Sequence, residues 1–148
     1  IASQFPMSSF VWLVRDGRDV VSSYVSAGLY EDLPGAARRW VEANRACAKF
    51  AAWCPRLLKV RYEDLVTTPE AGFGRLFDWA GLDFRPEMLE SRPDRMGDVE
   101  ALAHHANVQQ SINASSVGKW KEKLGQAELD ALPESFWTEM TAQGYGAR

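Results

Sequence analysis

The run Phe10–Tyr24, FVWLVRDGRDVVSSY, constrains this chain more than any other stretch. Phe10-Val11-Trp12-Leu13-Val14 is apolar, β-branched and aromatic, with no alternating polar residues. Such a run reads as a strand buried on both faces, as in parallel sheets. It stops abruptly at Arg15-Asp16-Gly17. Asp16 is placed to cap a helix, Gly17 permits a tight turn, and Asp19 puts a second carboxylate in the first helical turn. The helix then continues through Val20, Val21 and Tyr24. Strand, turn and helix follow one another with a guanidinium at the strand's carboxyl end, where open α/β sheets place their ligands.

Arg15 offers a planar fork of donors that fits phosphate oxygens. Ser23, eight residues on, lies within the first turns of the helix and can add a hydroxyl donor. The alternative is that Arg15 and Arg18 pair with Asp16, Asp19 or Glu63 at the sheet edge.

Downstream, Pro34 opens a long helix to about Trp53, with apolar residues at Ala36, Ala37, Trp40, Ala43, Cys47, Phe50, Ala51 and Cys54. The two cysteines, seven apart on this helix, lie about 10 Å apart along its axis, too far for a disulfide, and read as buried apolar residues. Leu57–Arg61 is the second strand, joined to the first by a helical, right-handed crossover. Arg15 and Tyr62 therefore fall at the carboxyl edge of one sheet. Glu63 and Asp64, adjacent on extended chain, point to opposite sides and make a poor acid–base pair. Thr68-Pro69 starts a further helix that Gly81 ends. Residues 82–112, broken by Pro86, Pro93 and Gly97, form a long loop with a short helix at Val99–Ala106. His104 and His105 have no further ligands at metal spacing. From Gln126 a capped helix, interrupted at Pro133, packs Leu129, Leu132, Phe136 and Met140 onto the core, and Gly144 ends it.

Composition narrows the function. The 148 residues suffice for a single domain, 1–148. A net charge of −3 points away from nucleic acid, so any anion site is local. No apolar run reaches the roughly 20 residues of a membrane span. No signal-peptide pattern is present. The expectation is a soluble protein, cytoplasmic by preference.

Three segments resemble the sulfotransferases that use 3′-phosphoadenosine 5′-phosphosulfate (PAPS). Val14–Tyr24 is similar to that family's 3′-phosphate segment, with Arg15 and Ser23 on the phosphate; Gly17 stands where many members have Pro. Tyr62-Glu63-Asp64-Leu65 resembles the segment whose Tyr lies near the adenine. Residues 113–121, NASSVGKWK, resemble the glycine loop that folds over the nucleotide, with Gly118, Trp120 and Lys121 matching. Many members carry Arg-Lys-Gly where this chain has Asn113-Ala114-Ser115, which removes two positive charges. Ser115, Ser116, Gly118 and Lys119 remain as phosphate donors.

The resemblance implies an α/β fold of the P-loop type, three layers with parallel strands flanked by helices, of which this chain is the carboxyl-terminal portion. It implies PAPS as co-substrate, 3′-phosphoadenosine 5′-phosphate as product, a hydroxyl or amine acceptor, and no metal. The 82–112 loop would face the acceptor. The family's P-loop-like segment and base have no counterpart in this chain: Gly118-Lys119 lacks both the preceding Gly and the following Ser/Thr. No catalytic residue is therefore assigned, and the missing segment is expected from upstream sequence or a partner chain. The alternative reading is a non-catalytic nucleotide-binding or scaffold domain of the same fold.

Overall fold

The structure, a computed structural model, describes residues 7–90 and 111–146. The described residues divide into two units, 7–61 with 116–146, and 62–90 with 111–115.

In the first unit, strand β1 (Phe10–Val14) runs into helix α1 (Gly17–Ser26) through Asp16, whose side chain accepts from the Arg18 amide as an N-cap. Helix α1 ends in a left-handed Gly28 (φ 68°), with Leu29 N–H donating to the Tyr24 carbonyl. That reversal is open to glycine without steric cost. Helix α2 (Leu33–Ala51) is capped by Asp32, which accepts from the Gly35 amide at 2.6 Å. Strand β2 (Leu57–Arg61) then returns parallel to β1, with Phe10 opposite Leu57 and Val14 opposite Arg61. The parallel pair joined by helices is the expected α/β arrangement.

One face of this pair is furnished by α2. Phe10 packs edge-on against Phe50, and Trp12 Nε1 donates to buried Asn44 at 3.3 Å. The other face departs from the expected two-sided burial. Val11 is 48% and Leu13 53% exposed, whereas Val60 is 1% exposed.

After residue 115 the chain forms short helices α5 (Trp120–Lys123) and α6 (Gln126–Asp130), then α7 (Glu134–Ala142). Phe136, Trp137 and Met140 of α7 meet Val14, Val21, Ala36, Ala37, Trp40 and Val41 in one buried core. Arg45 reaches from α2 to buried Glu139 at 3.2 Å, and Gln143 donates to the same carboxylate. Helix α2 stops at Ala51, so Cys54 lies beyond it, buried; Cys47 is half-buried, and both are free thiols.

The second unit corrects the reading of residues 62–65. They are not extended chain but open a helix, α3 (Tyr62–Thr67), with Glu63 and Asp64 in its first turn. Carboxylates are favourable at that position because they face unsatisfied backbone N–H groups. Helix α4 (Pro69–Ala80) follows, stopped by left-handed Gly81. Thr68 stands at its N-cap, yet its hydroxyl donates back to the Asp64 carbonyl and caps nothing. Gly72 lets α4 close on α3: a Cβ there would meet the Asp64 carbonyl at 2.9 Å. A 3₁₀ turn at Pro86–Leu89 follows α4. The expected helix at Val99–Ala106, with His104 and His105, lies outside the described residues. No helix among the described residues is long and apolar enough to cross a membrane.

Candidate functional site

The site is built where β1 ends. Val14, 1% exposed, anchors the last strand position in the core, so the next residue, Arg15, emerges at the sheet's carboxyl edge. Its guanidinium Nη2 donates to the Ser116 carbonyl at 2.6 Å, 101 residues away. The same nitrogen lies 4.0 Å from Asp19 Oδ2, beyond hydrogen-bond reach.

Arg18 takes the other role open to it. It grips Asp16 with two bonds, Nε to Oδ1 at 3.0 Å and Nη2 to Oδ2 at 2.7 Å. Its guanidinium carbon lies 4.2 Å from the centre of the Trp120 ring, within cation–π range. The sheet-edge pairing of Arg18 with Asp16 is thus realised. Within the second unit, Asp64 pairs with Arg75 at 3.6 Å.

Asp19 does something the sequence reading missed. It is 2% exposed, and its two oxygens accept from loop amides: Oδ2 from Gly118 at 2.8 Å and Oδ1 from Trp120 at 2.9 Å. Gly118 has φ 76° and Lys119 is right-handed helical (φ −59°). That left–right pair turns the amides on either side of Lys119's, those of Gly118 and Trp120, toward one anion, and here the anion is Asp19. An acidic residue in a first helical turn announces a favourable dipole; nothing local announces a partner about a hundred residues on.

Ser23 sits one turn beyond Asp19 on the same face of α1, exposed to solvent. One turn further, Ser26 receives Lys123 Nζ at 3.1 Å. The face of α1 that carries the 116–123 segment therefore also carries Ser23. Lys119 is exposed and Ser116 half-buried. Ser115 belongs to the second unit, where its amide and hydroxyl both donate to Asn113 Oδ1. Tyr62, the residue after Arg61, opens α3 of that unit. The structure thus gathers Arg15, Ser23, Ser116, Gly118 and Lys119 in the first unit, and places Tyr62 and Ser115 in the second.

A groove of about 450 Å³ lies elsewhere, lined by Leu29, Tyr30, Asp32, Arg38, Arg39 and Glu42. These residues follow the carboxyl end of α1, roughly 15 Å of helix away from Asp16. It is not part of the Arg15 site.

Comparison with known proteins decides the family. The profile described as "Sulfotransferase family" matches residues 1–86. The chain belongs to the sulfotransferase family. It is 36% identical over 89 residues to Carbohydrate sulfotransferase 4 of Mus musculus, a match spanning 55% of this chain and 22% of that protein. Among solved structures, it resembles the Sulfotransferase Domain from the Curacin Biosynthetic Pathway, at 26% identity and TM-score 0.75. The match covers 95% of this chain and 55% of that one. The Sulfotransferase Domain from the Synechococcus PCC 7002 Olefin Synthase shares the fold, with TM-score 0.80 at 24% identity over 95% of this chain and 50% of that one. This sulfotransferase chain thus spans about half the length of those solved chains and under a quarter of the mouse protein.

Proposed function

We propose that this sulfotransferase chain supplies the 3′-phosphate and adenine side of a PAPS site. The reaction is in-line transfer of a sulfuryl group to a hydroxyl or amine, releasing 3′-phosphoadenosine 5′-phosphate. Arg15 and Ser23 hold the 3′-phosphate, with Ser115, Ser116 and Lys119 contributed by the covering loop, Gly118 giving that loop its turn rather than a donor because its amide is taken by Asp19, and Tyr62 facing the adenine. No residue of this chain is assigned as the base, and no metal takes part.

One observation carries the reading more than the others. Arg15 and Ser116, which the resemblance sends to the same phosphate from segments 101 residues apart, are joined by a 2.6 Å hydrogen bond. The site also presents what an anion needs. Arg15 is an arginine at a strand end and beside a capped helix start, and its guanidinium reaches the loop at Ser116.

Calorimetry on the whole protein tests it, comparing 3′-phosphoadenosine 5′-phosphate with adenosine 5′-phosphate. Tighter binding of the bisphosphate by at least tenfold is expected, since a charge-assisted hydrogen bond contributes about 1.5–3 kcal/mol. Equal affinity for the two would remove the 3′-phosphate site. Transfer of label from PAPS to a panel of hydroxyl and amine acceptors then identifies the acceptor class.

A further inference from the structure

The amides of Gly118 and Trp120 converge on one anion, and Asp19 already occupies that position. Those two amides are not available to a phosphate. The 116–120 loop is tied twice to the start of α1: by Asp19 at Gly118 and Trp120, and by Arg15 at the Ser116 carbonyl. Lifting the loop would strand a carboxylate that is 2% exposed, together with its two donors.

We propose that Asp19 is a positioning residue: it holds the 116–120 loop in its closed place before any nucleotide arrives, so that Ser116 and Lys119 stand ready beside Arg15. The proposal deepens the 3′-phosphate reading and rests on it. It carries a sign that a simple charge effect does not share. A negative charge near a phosphate repels it, so removing Asp19 for its charge alone would tighten binding. Removing it as a latch loosens the loop and weakens binding.

The experiment uses the whole protein and has two arms. In hydrogen exchange without nucleotide, the amides of Gly118 and Trp120 are expected to exchange slowly and those of Val117 and Lys119 quickly. In Asp19→Asn, which keeps the shape but only one acceptor oxygen, the protection of Gly118 and Trp120 should fall while the core of α7 stays protected. Rapid exchange of both amides in the wild type overturns the latch. In the calorimetric arm, Asp19→Ala should bind 3′-phosphoadenosine 5′-phosphate about tenfold more weakly, with adenosine 5′-phosphate little changed and Asp19→Asn between the two. Unchanged or tighter binding of the bisphosphate overturns the positioning role. Should Asp19→Ala fail to fold, Asp19→Asn carries the same comparison. A wild type that does not distinguish the two nucleotides sinks the 3′-phosphate reading instead, and the exchange arm still decides whether Asp19 holds the loop.

Discussion

The ring of Phe136 fills the space a side chain at Gly17 would occupy. A Cβ on Gly17 would stand 2.7 Å from Phe136 Cε2 and 2.9 Å from Met140 Sδ. Gly17 is the first residue of α1, and its φ is not in the left-handed region. Its role is therefore packing, not the turn freedom that the Arg-Asp-Gly sequence suggests. The departure from the family's frequent Pro has the same cause, since a pyrrolidine ring at position 17 would meet the same ring of α7.

In an ordinary helix, Gly→Ala stabilises by about 0.4–1 kcal/mol. Here the clash reverses the sign. Gly17→Ala should destabilise by about 1–3 kcal/mol, the range for overpacking a filled core. Chemical denaturation of Gly17→Ala, Phe136→Leu and the double variant checks this. The double variant should be more stable than the two single losses summed, because the smaller residue makes room for the methyl. Simple additivity would mean the two residues do not compete for that space.

Arg15→Ala should weaken 3′-phosphoadenosine 5′-phosphate at least tenfold while leaving adenosine 5′-phosphate nearly unchanged, given about 1.5–3 kcal/mol for each charge-assisted hydrogen bond. Because Arg15 also holds the Ser116 carbonyl, thermal unfolding belongs beside the calorimetry. An equal loss for both nucleotides would make Arg15 a structural tie to the loop and nothing more.

Ser23→Ala removes a neutral donor, so the effect should be smaller, about 0.5–1.5 kcal/mol, again confined to the 3′-phosphate. Ser23 is exposed and no hydrogen bond to its hydroxyl is present among the described residues, so stability should hardly move. Unaltered discrimination between the two nucleotides would reduce the Arg15–Ser23 spacing to coincidence.

What was legible in the sequence follows from range. Asp16 as a cap, α1, the left-handed Gly28 and Gly81, and the parallel return of β2 all rest on local chemistry, and all are present. The face of β1 left open, the ring against Gly17 and the carboxylate of Asp19 under Gly118 depend on residues far along the chain. Local pattern does not encode those meetings. Tyr62–Leu65 fails for a different reason. A strand ending in aromatic and acidic residues reads equally well as continued strand or as a helix start, and the acidic pair settles it only once α3 has formed.

Arg18→Ala should act on stability and leave nucleotide discrimination intact. It breaks a two-bond pair with Asp16, which is 8% exposed, and uncovers the Trp120 ring. A loss on the order of 1–3 kcal/mol is expected for hydrogen bonds to a charged group. Arg18→Lys should recover little of it, because an ammonium has neither the fork for both oxygens nor a plane to stack. Full recovery by Lys would show that charge alone was at work.

The open face of β1 gives the last prediction. Val11 and Leu13 alternate with Phe10, Trp12 and Val14, so they project from the face opposite α2. Both are about half exposed, and among the described residues β1 pairs with β2 alone. An apolar strand with an open face and a free edge is a template for further pairing. The 148 residues expressed on their own should therefore self-associate in a concentration-dependent way, and should not transfer sulfuryl groups, since no base or bridging-oxygen donor is assigned in them. Val11→Thr with Leu13→Thr keeps one β-branched residue and adds another while lowering the apolar area, so it should reduce association without lowering the unfolding temperature by more than a few degrees. Light scattering against concentration decides the first claim and an assay with labelled PAPS the second. A monodisperse isolated chain would show that the open face is tolerated in water, and substantial turnover would mean that a residue described above as structural serves as the base.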